Sequence, residues 1–430
     1  MSKYHGRLKS ATVILAAIAV FGFALLCGHA TTANASGFAL YTHGAKELGR
    51  INSVVASPEG PVSTFFNPAT LSELPENQVE AGAVFIFPSI KFKSASTGKT
   101  EETKSQVFHP GTLFGVYHLD DTFTLGLGVN SPFGLGTEWP EDWEGKYITT
   151  NAEMETFLFN PNLAWKVTDT LTLAGGVDLL LGDSTLENNI NLSMYGLPDA
   201  KQKFSGDGYG WGYNLGVLWK IKKGLSLGIS YRSGINLELE GDVNFSDVNA
   251  LVAAKFPNTE GKTTINLPPQ IFTGLAYQVN DNLVVEIGGR WEGWSRYKKL
   301  KIDLDQPVGG KSSNITQKNW KDTLTFNTGA KYSMYPTLDI FLGYLYEDNP
   351  VPGDTFDPSV PASEKHMWSL GIAKKFGRVN TAITYLYGKY KDRNKNNSVG
   401  LETGATVTEI ANGEYEQDTH MLGISVNVEF

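Results

Sequence analysis

The 430-residue chain has one cysteine, Cys27, and it lies in an N-terminal leader. Once the leader is cleaved no thiol remains, which excludes a disulfide framework and thiol catalysis. Histidine is also scarce. Beyond residue 35 only His43, His109, His118, His366 and His420 occur. None lies in a nucleophile motif or at metal-ligand spacing, so no catalytic residue, metal or cofactor is expected. Positive charge is short as well. The leader takes three of the 36 basic residues, leaving 33 against 45 acidic ones, a net charge of −12. Such a balance excludes nucleic acid as a partner. After Leu26 there is no apolar run of transmembrane-helix length. T-G-K-T at Thr97–Thr100 lacks the upstream glycine of a phosphate loop.

What is present begins with the leader itself. Lys3, Arg7 and Lys9 precede the apolar run Ala11–Leu26, and Ala33-Asn34-Ala35 supplies small residues for cleavage. Residues 1–35 therefore read as a signal peptide. Leu26 is too bulky for a lipoprotein site at Cys27. An exported chain without a spanning helix is periplasmic, secreted, or a β-barrel.

Alternation narrows that choice. Leu225, Leu227, Ile229 and Tyr231 alternate with Ser226, Gly228, Ser230 and Arg232. Phe123, Leu125, Leu127 and Val129 alternate with Thr124, Gly126, Gly128 and Asn130. A period of two is a strand with one apolar face. Strands are expected at 79–93, 105–119, 122–130, 154–167, 170–183, 209–221, 224–242, 269–279, 282–300, 322–334, 337–347, 365–376, 379–391 and 419–430. Every second connection is tight, as at Asp120-Asp121, Thr168-Asp169 and Gly377-Arg378, while the others are long and polar. A sandwich has no reason for that rhythm; an outer-membrane barrel has short inner turns and long outer loops. The terminal Phe430 suits a signal for barrel assembly machinery. Trp165, Trp219, Tyr231, Trp291, Trp368 and Tyr385 fit aromatic girdles between outer-membrane lipid and lipopolysaccharide. The expectation is an all-β fold. Residues 76–430 form a monomeric transmembrane antiparallel barrel of about fourteen strands, and 36–75 form an N-terminal hatch inside it.

Three loop regions are unusually apolar. Residues 131–147 carry Leu135, Trp139 and Trp143. Residues 185–204 and 245–256 show helical spacing, with Leu186, Ile190 and Met194 in the first. They either pack on one another or form a groove for a hydrophobic ligand.

Several short motifs stand in a fixed order. They are S-G-F-A-L-Y from Ser36, N-P-A at Asn67-Pro68-Ala69, F-G-L-G-T-E-W from Phe133 and S-Y-R-S from Ser230. N-L-P-P from Asn266, W-S-R-Y from Trp294, W-K-D from Trp320 and P-V-P from Pro350 follow. Across the mature chain this resembles the FadL family of long-chain fatty acid and hydrocarbon transporters. The resemblance implies ligand-gated passive diffusion. A hatch including Ser36, Gly37, Asn67, Pro68 and Ala69 would move, and ligand would leave sideways through a third-strand kink at Ser131-Pro132-Phe133-Gly134. Pro132 cannot donate to a ladder and Gly134 weakens one, so a break is expected there independently. It also implies ligand contacts at Phe38 and at Lys318, with Lys321 close by. A second basic position of the family falls near Asn188, which is uncharged. Long-chain fatty acids are the expected cargo, neutral aromatic or aliphatic hydrocarbons the alternative, and a barrel hydrolase the remote one.

Overall fold

The computed structural model describes residues 37–430. The cleavage site and Ser36 lie outside them. Fourteen antiparallel strands close into a barrel. They are β1 (Gln78–Ser94), β2 (Gly111–His118, with an outer piece Thr100–Glu102), β3 (Phe123–Asn130 and Gly134–Glu138), β4 (Asn151–Lys166) and β5 (Leu171–Ile190). Next come β6 (Ala200–Lys222), β7 (Leu225–Arg232 and Asn236–Ser246), β8 (Thr259–Asn266 and Gln270–Asn280) and β9 (Leu283–Glu292 and Lys299–Val308). The last are β10 (Lys311–Gln317 and Thr323–Tyr335), β11 (Leu338–Glu347), β12 (Lys365–Phe376), β13 (Val379–Tyr390) and β14 (Gly413–Glu429). β1 pairs with β14 from Gln78↔Glu429 to Ser94↔Gly413, which closes the sheet and leaves no edge.

The wall follows the alternation in the sequence. Leu125, Leu127, Leu173, Leu215, Ile229, Leu275 and Ile383 point outward and are exposed to lipid, as are Trp165, Trp219, Trp368 and Tyr385 of the girdles. Inward positions are buried because residues 37–74 pack against them inside the lumen. This segment carries two short helices, α1 (Ala45–Gly49) and α2 (Ser63–Phe66), then a 3-10 turn, Pro68–Glu73.

Inward glycines make room for it. A methyl group added at Gly228 would overlap the carbonyl of Val55, and one at Gly329 the carbonyl of Arg50. Gly126, Gly216 and Gly423 similarly face Leu71, Asn67 and Leu48. Only a residue without Cβ lets two backbones come so close.

Buried charges fix the segment's position. Arg50 pairs with Glu59, and Glu59 with Lys331 at 2.9 Å. Lys46 meets Glu80 at 3.3 Å. Glu286 accepts from the Val55 amide at 2.6 Å and from the Ser57 hydroxyl at 2.6 Å. Arg232 donates to Asp178 at 2.9 Å and to the Phe65 carbonyl at 3.0 Å. Pairs of this kind add little net stability against apolar packing. Removing one partner nonetheless costs about 3–5 kcal/mol, so they specify where the segment sits.

Candidate functional site

The third strand breaks where Pro132 predicts. β3 pairs with β4 up to Asn130↔Leu158 and resumes at Gly134↔Glu155, so residues 131–133 bulge. On the other side the β2–β3 ladder runs from His118↔Thr124 to Leu113↔Val129, and the strands meet again where the Lys104 amide donates to the Glu138 carbonyl at 2.8 Å. Between these points β3 turns to the lumen segment instead. The Leu40 amide donates to the Pro132 carbonyl at 2.8 Å, and the Gly134 amide to the Phe38 carbonyl at 2.7 Å. Ala39 and Phe133 thus form a two-residue antiparallel bridge.

That bridge delivers Phe38 into an aromatic box. Its ring lies 5.0 Å from Trp320, 5.4 Å from Tyr297 and 5.6 Å from Trp294, the last two edge-on. Phe133 stands 6.4 Å from Trp294. These residues lie where the strands are interrupted: Trp294 and Tyr297 between the halves of β9, Trp320 between those of β10. W-S-R-Y and W-K-D are visible in the sequence as motifs, but nothing there assigns their tryptophans a role; aromatic clustering at strand breaks is the available signal. Just behind Phe38, the Tyr41 hydroxyl donates to Glu292 at 2.7 Å and its ring lies beneath the Arg290 guanidinium, 3.4 Å away. Arg290 also binds Glu347 at 2.9 Å.

The two lysines part company. Lys318 is buried and pairs with Asp357 at 2.6 Å. Burial alone would raise the Asp357 carboxyl, but the Lys318 ammonium and the bonds from Ser359 outweigh it, holding the group below its ordinary value. Lys321 is exposed and does not line the cavity that Lys318 borders. Asn188 does share a cavity with Lys318. That cavity of about 130 Å³ in the outer loops is also lined by Leu186, Phe204, Leu300 and Asp357.

Of the two readings left open for the apolar outer-loop residues, mutual packing holds for the tryptophans. Trp139 and Trp143 stack at 4.2 Å and are buried, with Phe92 and Tyr415 against them. Both indole N–H groups are satisfied, by the Pro358 and Thr149 carbonyls. They and buried Leu135 order the loops and present no open groove. The helical spacing at 185–204 is corrected. Leu186 and Ile190 lie on β5, which with β6 extends well past the lipid band. A step of four fits a strand face as well as a helix. Met194 sits on a 3-10 turn and is 81% exposed.

Asn67 is a fixed point. Its amide donates to the Val55 carbonyl at 2.8 Å and the Val217 carbonyl of β6 at 3.0 Å, while its oxygen accepts from Ala69. Pro68 then starts the 3-10 turn, as a residue lacking an N–H readily does. Gly37 has φ +63°, and a Cβ there would crowd Trp294 and Trp320.

Comparison with known proteins agrees with this architecture. A 47 kDa outer membrane protein of Pasteurella multocida is 22% identical, the match spanning 93% of this chain and 96% of the relative. A long-chain fatty acid transport protein of Escherichia coli O6:H1 is 24% identical over 84% of this chain and 88% of the relative. Among solved structures, a Pseudomonas aeruginosa FadL homologue superposes with a TM-score of 0.82 at 18% identity, covering 92% of this chain and 100% of that one. The P. putida toluene transporter TodX gives 0.71 at 19% identity, covering 92% and 99%. The family model described as outer membrane protein transport protein (OMPP1/FadL/TodX) matches residues 26–430, so this chain is an outer-membrane β-barrel belonging to that family of hydrophobic-compound transporters.

Proposed function

We propose that the chain admits neutral hydrophobic molecules, aromatic ones foremost, by passive diffusion through a barrel whose N-terminal segment is the hatch that gates it. The observation that carries this reading is the bridge between Ala39 and Phe133. One stretch of backbone both seats Phe38 in the aromatic box and fills the break in β3. Withdrawal of residues 37–41 opens the box and the wall together, giving cargo a sideways exit into the membrane rather than into water. Neutral cargo is favoured because Lys318 already holds Asp357, Lys321 is exposed and Asn188 is uncharged. Moving an ionised head into such a box without a new partner is costly.

Fatty acids are the second reading, supported by the Lys318–Asn188 cavity. It requires a ligand carboxylate to replace Asp357 on Lys318. In both readings the protein is a conduit, not a hydrolase.

Ala39 and Phe133 are bridge partners without bonds between their own backbones, the closer kind of antiparallel pair, so cysteines there have disulfide spacing. In cells lacking the native gene, the Ala39→Cys/Phe133→Cys variant should take up an alkylbenzene only after reduction. Equal uptake in both redox states would sink the hatch. Lys318→Met combined with Asp357→Asn, which leaves no stranded charge, should leave alkylbenzene uptake unchanged and not impair oleate entry; selective loss of oleate would establish the second reading.

A further inference from the structure

Two polar groups in the aromatic box, the indole N–H groups of Trp294 and Trp320, have no partner among the described residues. Trp294 is fully buried, and its indole N–H meets no acceptor among the described residues. An indole can only donate, so only an incoming acceptor can satisfy it. The side of the ring next to the N–H lies against Gly37. A Cβ built on Gly37 would stand 2.8 Å from Trp294 Cζ2 and 3.0 Å from Cε2, the carbon bonded to Nε1. Trp320 also has an unmatched N–H, but it turns its Cζ3 edge, the far side of the ring, to Gly37 at 2.7 Å. The Trp294 donor therefore borders the space that Gly37 and Phe38 occupy. Around it Phe38, Phe133, Tyr297 and Trp320 provide aromatic surface. A buried donor left dry is expensive, and a ligand that supplies its acceptor recovers that cost.

We propose that Trp294 sets specificity: when the hatch withdraws, its indole N–H donates to an uncharged oxygen on the ligand. The favoured cargo is then a hydrophobic molecule bearing one neutral acceptor, such as an aryl ketone, ester or alcohol. This rests on the proposed transport of hydrophobic molecules through the box and names the class within it. The bond offsets the cost of stripping water from the ligand oxygen, a cost that a pure hydrocarbon never meets.

The test uses full-length mature protein in detergent, with calorimetric titration of n-butylbenzene and its ketone analogue 1-phenylbutan-1-one. Trp294→Phe keeps an aromatic ring and deletes the N–H. We expect it to weaken ketone binding about fivefold, the worth of one neutral hydrogen bond, and hydrocarbon binding less than twofold. Equal weakening of both, or of neither, overturns the proposal. A second measurement needs no variant. The infrared carbonyl band of the ketone bound to the wild type should shift below its position in hexane; an unshifted band also overturns it. Failure of the wild type to bind either compound would instead sink the transport reading itself.

Discussion

If the hatch is held chiefly by Phe38, removing that ring should release residues 37–43 and leave the rest in place. The ring is 3% exposed and touches three aromatic neighbours. Truncating such a buried ring costs about 3–5 kcal/mol. An unseated ring regains part of this in the lumen, so we halve the figure to about 1.5–2.5 kcal/mol, roughly ten- to seventyfold in the ratio of withdrawn to seated hatch. Residues 36–430 contain no cysteine, which allows single reporters. Thr42 and Ser53 are both buried, and neither hydroxyl has a hydrogen-bond partner among the described residues, so Thr42→Cys and Ser53→Cys are mild changes. Thr42 follows the bridge, whereas Ser53 lies among the ion pairs of Arg50 and Glu286. With a maleimide in excess, adding Phe38→Ala should speed labelling at position 42 at least about tenfold and leave position 53 within twofold. Equal acceleration at both sites would show that the whole segment moves as one body. No acceleration at position 42 would show that the aromatic box does not hold the hatch.

Three further outcomes follow from the geometry. Gly228→Ala should lower the heat-unfolding temperature seen by gel migration, because the methyl must displace the Val55 backbone, at about 1–3 kcal/mol for overpacking. Lys318→Met should destabilise the outer loops by about 3–5 kcal/mol by stranding Asp357, and adding Asp357→Asn should restore most of that, read by protease resistance. The pH dependence has a definite sign. With its folded pKa depressed, Asp357 contributes fully above the ordinary carboxylate range and loses its contribution as pH falls through and below that range, so Asp357→Asn should flatten acid sensitivity of the loops.

Much of the barrel was legible because lipid enforces a period of two on every strand and the inner turns are too short to hide. Pro132 and Gly134 located the break in β3 for a covalent reason that needs no tertiary information. Legibility failed where lipid stops dictating. Beyond the bilayer β5 and β6 continue to Ile190 and from Ala200 with polar residues on both faces, and their apolar positions mimic a helix. Partners distant in sequence were equally hidden. Nothing near Lys318 announces Asp357, 39 positions away, and nothing near Gly228 announces Val55. The tryptophans of the box were visible as residues, but their convergence depends on the breaks in β9 and β10.

The seam between β1 and β14 has a consequence for assembly. It joins the first strand to the last, the largest sequence separation of any strand pair in the barrel. Long-range pairings of this kind form late, since the intervening chain must be ordered first. The lumen segment precedes β1, yet Thr384 of β13 and Ser369 of β12 bond its Ala45 and Gly49 carbonyls at 2.6 and 2.9 Å. Those contacts also await the C-terminal strands. Zipping of the seam and the last anchoring of the segment are therefore completed by the same final hairpins, so a chain truncated before β12 would lack both closure and these two anchors.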